Sequence, residues 1–408
     1  MNDPTNETKT GKSKGRLSVF VSCAPGLEPM LATELVAMLG EREDPKHTPT
    51  PVPGGVELGC DREELARVLV ECGLGAHVLV RVAQFPVREL DALERHVGRL
   101  GWSGFLRRDV PRRVRANAQR SRLYHTGAIE ERVFRAIAER LGDDPPEAES
   151  DESVTVNVRM FEDRCTISID VAGSPLHRRG YRLDPYRAPI REDLARAVVI
   201  ASGWDRSRPL VDPMCGSGTL VIEAARLAID HAPGLERSFA LTRTAFDDGT
   251  SIGAAREQAR GRVLGDAPVI VGRDRDPRAI FAARENAHRA GVSELVRFEV
   301  APLSTTRDAL GALGVTRGVQ VITNPPWGGR LEAEDSHHLD LRPLYGAIGS
   351  LVRSIEGASL TIAAHDRKLA YATGVPLESA LLTDLGGMKV AIMRQVARGR
   401  SGERSERS

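Results

Sequence analysis

The pattern of hydrophobic and polar positions changes near residue 188. Before that point, alternating apolar and polar residues predict short strands such as 17–23 and 153–161, and these are interleaved with amphipathic helices such as 126–142. After it, strands that are apolar throughout alternate with helices, which is typical of a parallel sheet covered on both faces. We therefore predict an α+β half followed by a doubly wound, mostly parallel α/β domain.

Breaks in this pattern divide the chain into six segments. The two ends lack apolar residues to bury, so we expect them to be disordered. The predicted segments are a disordered tail (1–15), a first α+β subdomain (16–75), a second α+β domain (76–175), a junction (176–190), the doubly wound domain (191–397) and a second disordered tail (398–408). Within the doubly wound domain, residues 231–266 form an insertion between the first helix and the second strand.

Composition narrows the classes of protein. The formal net charge is only +1, so any contact with nucleic acid must come from local patches. The five cysteines form no C-x-x-C pair, which argues against a disulfide framework or a zinc site. The start of the chain is polar, and no apolar run reaches about 18 residues, which argues against a secretory signal and a transmembrane helix. We expect a cytoplasmic protein that uses no metal and no membrane.

A glycine-rich loop follows the first strand of the doubly wound domain. The sequence DPMCGSGT (212–219) lies where this strand ends and a helix begins, at the edge where open α/β sheets bind ligands. Glycines let the backbone pass close to a ligand, and the free N–H groups of the helix suit a carboxylate. The loop predicts a site for the amino-acid part of S-adenosylmethionine, with Asp212 near its positive charge. The predicted contacts are Asp212, Met214, Gly216, Gly218 and Thr219.

An acidic residue, Asp274, ends the second strand of this domain, where it can hold both ribose hydroxyls of the cofactor. A dinucleotide fingerprint is incomplete, because Val221 stands where its third glycine would be. NAD is therefore disfavoured. Asp276 is instead expected to cap the next helix. Cys215 is expected to be a small packing residue rather than a nucleophile. For the glycines alone, a structural turn stays open as an alternative.

A second motif, Asn324-Pro325-Pro326-Trp327, ends the fourth strand. The side-chain oxygen of Asn324 and the carbonyl of Pro325 can accept hydrogen bonds from a base NH2 group and turn its lone pair toward a methyl donor. Pro326 adds rigidity, and Trp327 can stack on an extruded base. The motif predicts methylation of an exocyclic amino group without a protein nucleophile. Its alternative is a proline-rich turn.

Two segments rich in arginine could bind the phosphate backbone of a nucleic acid. Residues 107–122 hold seven arginines and one aspartate, and residues 177–191 hold five arginines and two tyrosines. Solvated loops or packing between domains are the alternatives. The predicted RNA contacts are Arg112, Arg113, Arg115, Arg122, Tyr124, Arg178 and Arg179.

Together these segments resemble the bacterial and archaeal family of THUMP-domain RNA methyltransferases, which includes the 23S rRNA guanine-N2 methyltransferase and related tRNA guanine-N2 enzymes. The resemblance covers about residues 17–396. The motifs that carry it are 24–35, 121–133, 176–195, 212–225, 232–240, 272–280 and 323–330.

This resemblance implies a ferredoxin-like subdomain over 16–75 and a THUMP domain over 76–175, which together bind structured RNA. It implies a Rossmann-like methyltransferase domain over 191–397, with a seven-stranded sheet whose last strand is antiparallel. Asp212, Gly216, Gly218 and Asp274 would bind the cofactor, and residues 324–327 the target base. We expect a monomer.

The chain departs from the family pattern at two places. After the third strand, Ala301 and Pro302 replace the usual glycine–aspartate pair, so the contact to the cofactor adenine is unassigned. Trp327 replaces the usual tyrosine, which keeps stacking but loses the hydroxyl.

Three functions remain open from the sequence. The first is methylation of guanine N2 in ribosomal RNA or transfer RNA. The second is methylation of adenine N6 in RNA or DNA, because the Asn-Pro-Pro-Trp motif suits either amino group. The third is a non-catalytic RNA-binding or ribosome-assembly factor, which a lost glycine loop or an altered Asn324 would favour; neither change is present.

Overall fold

The computed structural model describes residues 16–42, 44–108, 110–143, 152–183, 190–327, 340–385 and 387–396. They belong to two compact units. The first unit comprises the chain up to Arg179 together with His231–Val263, and the second comprises Gly180–Asp230 together with the chain from Leu264 onward. The two predicted tails, 1–15 and 398–408, lie outside the described residues.

Fourteen strands are described. They are β1 (Leu17–Ser22), β2 (Thr50–Val52), β3 (Gly55–Cys60), β4 (His77–Pro86), β5 (Arg112–Gln119), β6 (Val154–Phe161), β7 (Arg164–Asp170), β8 (Leu210–Asp212), β9 (Ile270–Asp274), β10 (Val296–Val300), β11 (Gln320–Thr323), β12 (Ser359–Ala364), β13 (Leu377–Leu385) and β14 (Met388–Gln395).

Eleven α-helices are described beside them. They are α1 (Glu28–Leu39), α2 (Arg62–Glu71), α3 (Leu90–Gly98), α4 (Thr126–Leu141), α5 (Glu192–Ala201), α6 (Thr219–Ala228), α7 (Ser251–Gly261), α8 (Pro277–Arg289), α9 (Thr306–Ala312), α10 (Arg342–Ser354) and α11 (Arg367–Tyr371). Asp61 caps α2: its carboxylate accepts a hydrogen bond from the Glu64 N–H at 2.9 Å, and the Glu64 side chain accepts one from the Asp61 N–H at 3.0 Å.

The first unit contains a sheet in the order β2-β3-β1-β4-β7-β6-β5. Neighbouring strands are antiparallel except β5 and β6, which are parallel. Strand β4 pairs with β1 on one side and β7 on the other. The predicted 16–75 and 76–175 segments therefore contribute strands to a single sheet. Its edge strand β2 contains Pro51, which an edge strand tolerates.

One face of this first sheet is apolar and the other polar. On the apolar face, Val80, Val156 and Ile167 are fully or almost fully buried, and helices α3 and α4 bury apolar residues of their own. The opposite face carries Ser168 and Asn157, which lie opposite one another in register. The alternation predicted for 153–161 is therefore present, with one side of each strand in the core.

The second unit contains a sheet in the order β10-β9-β8-β11-β12-β14-β13. The first five of these strands are parallel, and β14 is antiparallel to both of its neighbours. The prediction of a doubly wound, mostly parallel, seven-stranded sheet is confirmed. The hydrophobic pattern failed to predict β13, α9 and α11.

Residues 231–266 were expected as an insertion in the methyltransferase domain, but 231–263 belong to the first unit, and the second unit resumes at Leu264. The Gly234 N–H donates to the carbonyl of Val70 at 2.8 Å, and the Leu241 N–H donates to that of Val171 at 2.8 Å. Arg262 pairs with Glu71 of α2 at 2.6 Å. The chain therefore leaves the second unit after α6 and returns to it before β9.

Over the ranges that the structure describes, none of the helices is both long enough and apolar enough to span a bilayer.

Candidate active site

The glycine loop is held against the neighbouring strand by its backbone. The Cys215 N–H donates to the carbonyl of Arg273 in β9 at 2.8 Å. Gly216 and Gly218 both have positive φ angles, 54° and 84°. A Cβ on Gly218 would lie 3.0 Å from the Cβ of Ala283, whereas one on Gly216 would meet no atom within 4 Å. Gly218 thus permits close packing of the loop, and Gly216 leaves open space above it.

Asp212 is a buried acid at the end of β8, with 2% of its surface exposed. Burial raises the pKa of this carboxyl to about 7. The Met214 N–H, which donates to Oδ1 at 3.1 Å, opposes that rise, and the negative charge of Asp274 adds to it. A nearby cation would favour ionisation of Asp212, because it would offset both the burial and the neighbouring charge.

Asp274 ties the loop to β9. Its Oδ2 accepts a hydrogen bond from the Gly216 N–H at 3.0 Å, and its Oδ1 accepts one from the Asp276 N–H at 3.0 Å. Each oxygen keeps a second lone pair that a ligand hydroxyl could reach. Asp276 accepts from the Arg278 N–H at 2.9 Å and is confirmed as the N-cap of α8.

Two hydrogen-bonded polar side chains of helix α8, Asn286 and Arg289, support the glycine loop. Asn286 of α8 is fully buried, and its Nδ2 donates to the carbonyl of Ser217 at 3.1 Å. Arg289 donates to Asn286 Oδ1 at 2.7 Å and to the carbonyl of Tyr181 at 2.7 Å. Neither Asn286 nor Arg289 was among the residues predicted from the sequence. An asparagine on the buried side of an amphipathic helix was the available signal.

The Asn-Pro-Pro-Trp motif follows β11 in a fixed conformation. The carbonyl of Pro326 accepts a hydrogen bond from the hydroxyl of Tyr345 at 3.3 Å, and Trp327 Nε1 donates to the carbonyl of Ala363 at 3.2 Å. Burial raises the pKa of Tyr345 and so keeps its hydroxyl protonated as a donor. Residues 328–330, which complete the family motif, lie outside the described residues.

Asn324 is the unsatisfied member of this motif. Its side chain is partly exposed, but its Oδ1 is shielded from solvent and has no hydrogen-bond partner among the described residues. The Oγ of Ser217 in the glycine loop is in the same state. Leaving a buried polar atom unpaired costs about 1–3 kcal/mol, so such atoms point to a ligand that pairs with them. Because β8 and β11 are parallel neighbours, both motifs lie at one edge of the sheet.

Cys215 does not suit nucleophilic chemistry. It is 8% exposed, and burial raises the pKa of its thiol well above the usual value, with Asp212 and Asp274 adding to the rise. All five cysteines are free. Among the described residues, no group of histidine, cysteine and acidic side chains has the arrangement of a metal site.

The predicted RNA contacts fall into two groups. Arg113, Arg115, Arg122, Tyr124 and Arg178 are at least partly exposed. Tyr124 is 65% exposed, with its ring centroid 4.1 Å from that of His125. The loop before it is fixed by Asp163, whose carboxylate accepts a hydrogen bond from the Arg122 N–H at 2.8 Å.

The other two arginines require a correction. Arg112 is 1% exposed and forms an ion pair with Asp143. Arg179 is 5% exposed and donates to the carbonyls of Gly73 at 2.6 Å and Leu176 at 3.2 Å. Both guanidinium groups are therefore used inside the first unit, and neither is available to RNA phosphates.

Comparison with known protein families matches both halves of the chain. Residues 87–170 match the THUMP domain, and residues 179–375 match the family described as "RMKL-like, methyltransferase domain". A curated relative, "Ribosomal RNA large subunit methyltransferase K/L" from Syntrophotalea carbinolica, is 36% identical over 351 residues. The match covers 83% of this chain but 47% of the relative, so the chain spans about half the length of that protein.

Two solved structures resemble the whole chain. A possible methylase from Clostridium difficile 630 is 30% identical, with a TM-score of 0.81 over 93% of this chain and 98% of the other. A putative methyltransferase complexed with SAH is 25% identical, with a TM-score of 0.81 over 94% of this chain and 98% of the other. The chain therefore belongs to the family of THUMP-domain methyltransferases whose catalytic domain is RMKL-like.

Proposed function

We propose that the chain is an S-adenosylmethionine-dependent RNA methyltransferase that modifies the exocyclic N2 of a guanosine in ribosomal RNA. The observation that carries the proposal is the unpaired Oδ1 of Asn324, which can accept a hydrogen bond from a base amino group. Asn324 directly follows β11, the neighbour of the strand that leads into the glycine loop. The THUMP domain and the relative named as a large-subunit methyltransferase support RNA as the substrate. We further propose a cytoplasmic monomer, with light scattering as the check of its mass.

The loop suits the proposed cofactor. Gly216 leaves space for a ligand, and the N-terminus of α6 offers unpaired N–H groups for a carboxylate. Asp212 would face the positive charge of the amino-acid part, and Asp274 the ribose hydroxyls. Met214 and Thr219, the other two predicted contacts, belong to the same loop and the start of α6. When bound, S-adenosylmethionine supplies an electrophilic methyl group on a sulfonium.

The role of the second motif is to orient the base. The amide torsion of Asn324 is soft, so a small rotation can bring Oδ1 to an amino hydrogen. The carbonyl of Pro325 would accept the other hydrogen, which aims the nitrogen lone pair. Trp327, fixed by its bond to Ala363, would stack on the base. Positioning of this kind accounts for much of the rate in transfer reactions that use no protein nucleophile.

Mass spectrometry of nucleosides tests the proposal. Ribosomal and transfer RNA are separated from cells with and without the gene, and from deletion cells that carry wild-type protein or Asn324→Ala. We expect N2-methylguanosine to disappear from ribosomal RNA on deletion and to return only with the wild-type protein. Loss of N2-methylguanosine from transfer RNA instead would contradict ribosomal RNA as the substrate. Loss of N6-methyladenosine would contradict guanine N2 as the target atom. Unchanged RNA in every strain would contradict the activity.

A further inference from the structure

The polar face of the first sheet carries a repeated pairing of arginine with hydroxyl residues. In the register of the strands, Arg81 lies opposite Ser168, Arg113 opposite Thr155 and Arg159 opposite Thr166. These pairs involve four strands, β4 to β7, and all lie on one side of the sheet. We call this set of three arginines and three hydroxyl residues the arginine face.

Hydroxyl groups orient two of the three arginines, and a hydroxyl carries no charge that would neutralise a guanidinium. Arg113 Nε donates to Thr155 Oγ1 at 2.8 Å, and Arg81 Nη1 donates to Ser168 Oγ at 3.2 Å. In the described part of the chain, no carboxylate lies within ion-pair distance of Arg113 or Arg159. Arg81 also pairs with Glu57 at 3.3 Å, so its charge is partly offset. Arg113 and Arg159 thus present oriented, uncompensated positive charge.

Aromatic rings add to this orientation. The guanidinium of Arg159 lies 4.9 Å from the ring centroid of Phe161, and that of Arg81 lies 4.5 Å from that of Phe20. A cation held over a ring loses less conformational entropy when it binds an anion, because its side chain is already ordered.

Arg81 and Arg159 are close enough to repel one another. The positive charge of Arg159 helps to lower the pKa of Arg81, whose burial is the larger cause. Bringing a polyanion to this face would relieve the repulsion. Arg113 and Arg159 are separated by four positions along neighbouring strands, or roughly 13 Å at about 3.3 Å per residue. Two guanidinium groups at that distance would contact different phosphates of one strand.

We propose that the arginine face binds the phosphate backbone of the substrate RNA, in addition to the loop that carries Arg122 and Tyr124. The inference rests on the proposed function, which makes the substrate an RNA. Arg115 lies on the same side of the sheet, opposite Asn157, and extends the face along the edge strand β5. The contacts would be to phosphates, so they would add affinity without selecting a base sequence.

Salt-dependent binding tests this surface. In vitro transcribed large-subunit ribosomal RNA is titrated with protein on filters, over about 50 to 300 mM salt. Each lost phosphate contact lowers the slope of log affinity against log salt by about 0.9. We expect Arg159→Gln to lower the slope by about 1 and the double variant Arg113→Gln with Arg159→Gln by about 2. Arg159→Lys should keep the wild-type slope.

The matched control is Arg95→Gln, which removes the same charge from an exposed position on helix α3. It should leave the slope unchanged. Thermal unfolding and SAH binding by calorimetry verify that each variant is folded with an intact methyltransferase domain. A double variant with the wild-type slope, while the wild-type protein still methylates RNA, would overturn the arginine face alone. Failure of the wild-type protein to bind RNA would overturn the proposed function, and the arginine face with it.

Discussion

The two seven-stranded sheets place their polar residues differently. In the second sheet, the central parallel strands β8 and β11 are buried on both faces, so polar side chains gather where these strands end. The residues of each motif, 212–219 and 324–327, are therefore consecutive in the sequence. In the first sheet, one face is buried and the other is polar. Residues that share a face are therefore every second residue along a strand. A run of consecutive residues therefore identifies a site correctly in the second sheet, but in the first sheet it combines residues from both faces.

Arg112 and Arg113 show this difference at neighbouring positions. Arg112 points to the buried face and pairs with Asp143, whereas Arg113 points to the polar face and donates to Thr155 at 2.8 Å. A run of basic residues in a half-buried strand is thus divided between the core and the surface. Treating such a run as one patch assigns RNA contacts to residues that support the fold.

The largest expected effect separates these two arginines. Arg112→Ala should lower the free energy of unfolding by about 3–5 kcal/mol, because it leaves Asp143 without its buried partner. Arg113→Ala should cost less than about 1 kcal/mol, since it removes one bond between a partly exposed guanidinium and a hydroxyl. Urea denaturation of both variants measures the difference. Equal losses would mean that the two faces of the sheet do not differ in this way.

In the second sheet, Asn324→Ala should lower kcat by about 10²- to 10³-fold, by analogy with removal of a single positioned hydrogen-bonding group from an active site. Asn324→Asp keeps an acceptor oxygen and should retain more turnover than the alanine variant. Methyl transfer to RNA and filter binding of RNA are measured together. Near-normal turnover by Asn324→Ala would refute the role of the amide, while weakened RNA binding with normal turnover would assign it to binding.

The two loop glycines should respond differently. Gly218→Ala places a methyl group 3.0 Å from Ala283 at a positive φ, so we expect a loss of about 1–3 kcal/mol in the free energy of unfolding. Gly216→Ala carries only the cost of the left-handed backbone, about 1–2 kcal/mol, but should weaken SAH binding by more than its effect on stability implies. Calorimetry and urea denaturation give both quantities. Similar profiles for the two variants would argue against a ligand at Gly216.

The smallest effect concerns pH. The pKa of Asp212 is raised to about 7, so the carboxyl loses its negative charge as pH falls through that value. A ligand cation beside it should bind up to about tenfold more weakly per pH unit below 7. Asp212→Asn should flatten this dependence. A wild-type affinity for SAH that is constant between about pH 6 and 8 would place the ligand cation away from Asp212.

The pH dependence of the free energy of unfolding is opposite to that of ligand binding. The raised pKa means that the folded protein holds a proton that the unfolded chain releases above its ordinary carboxyl pKa of about 3.9. Without ligand, Asp212 therefore reduces stability most above pH 7, and the loss is relieved as pH falls toward 4. Asp212→Asn should accordingly stabilise the ligand-free protein at pH 8 more than at pH 5.

The sequence predicted the second sheet almost completely, because strands β8, β9, β11 and β12 are short and mainly apolar, as is typical of buried parallel strands. Strand β13 was missed, since a register shift between Ser379 and Leu381 interrupts its alternation. Asn286 and Arg289 were missed because their role depends on a contact to the loop some 70 residues earlier along the chain. The raised pKa of Asp212 depends on burial, which a strand of three residues does not reveal.

In the first sheet, the sequence predicted most strands but not their faces or their neighbours. The pairing of β1 with β4 joins the predicted segments 16–75 and 76–175, so the sheet is continuous across the boundary that was predicted after residue 75. Arg179 lay in a basic run, but its bond to Gly73 spans more than 100 residues. Contacts of that kind follow from tertiary structure and leave no local pattern.

The position of residues 231–263 has a consequence for the order in which the protein can fold during synthesis. A nascent chain that ends at Arg179 lacks Phe239 and Ala259, which are 1% and 0% exposed in the finished first unit. Completion of that unit must wait until Val263 has left the ribosome. Strand β8 and helix α6 emerge before that point, while β9 and β11, the partners of β8, have not yet emerged. Folding of each unit thus depends on residues that are synthesised after part of the other unit. We expect strand β8 and helix α6 to be exposed to chaperones until those residues emerge.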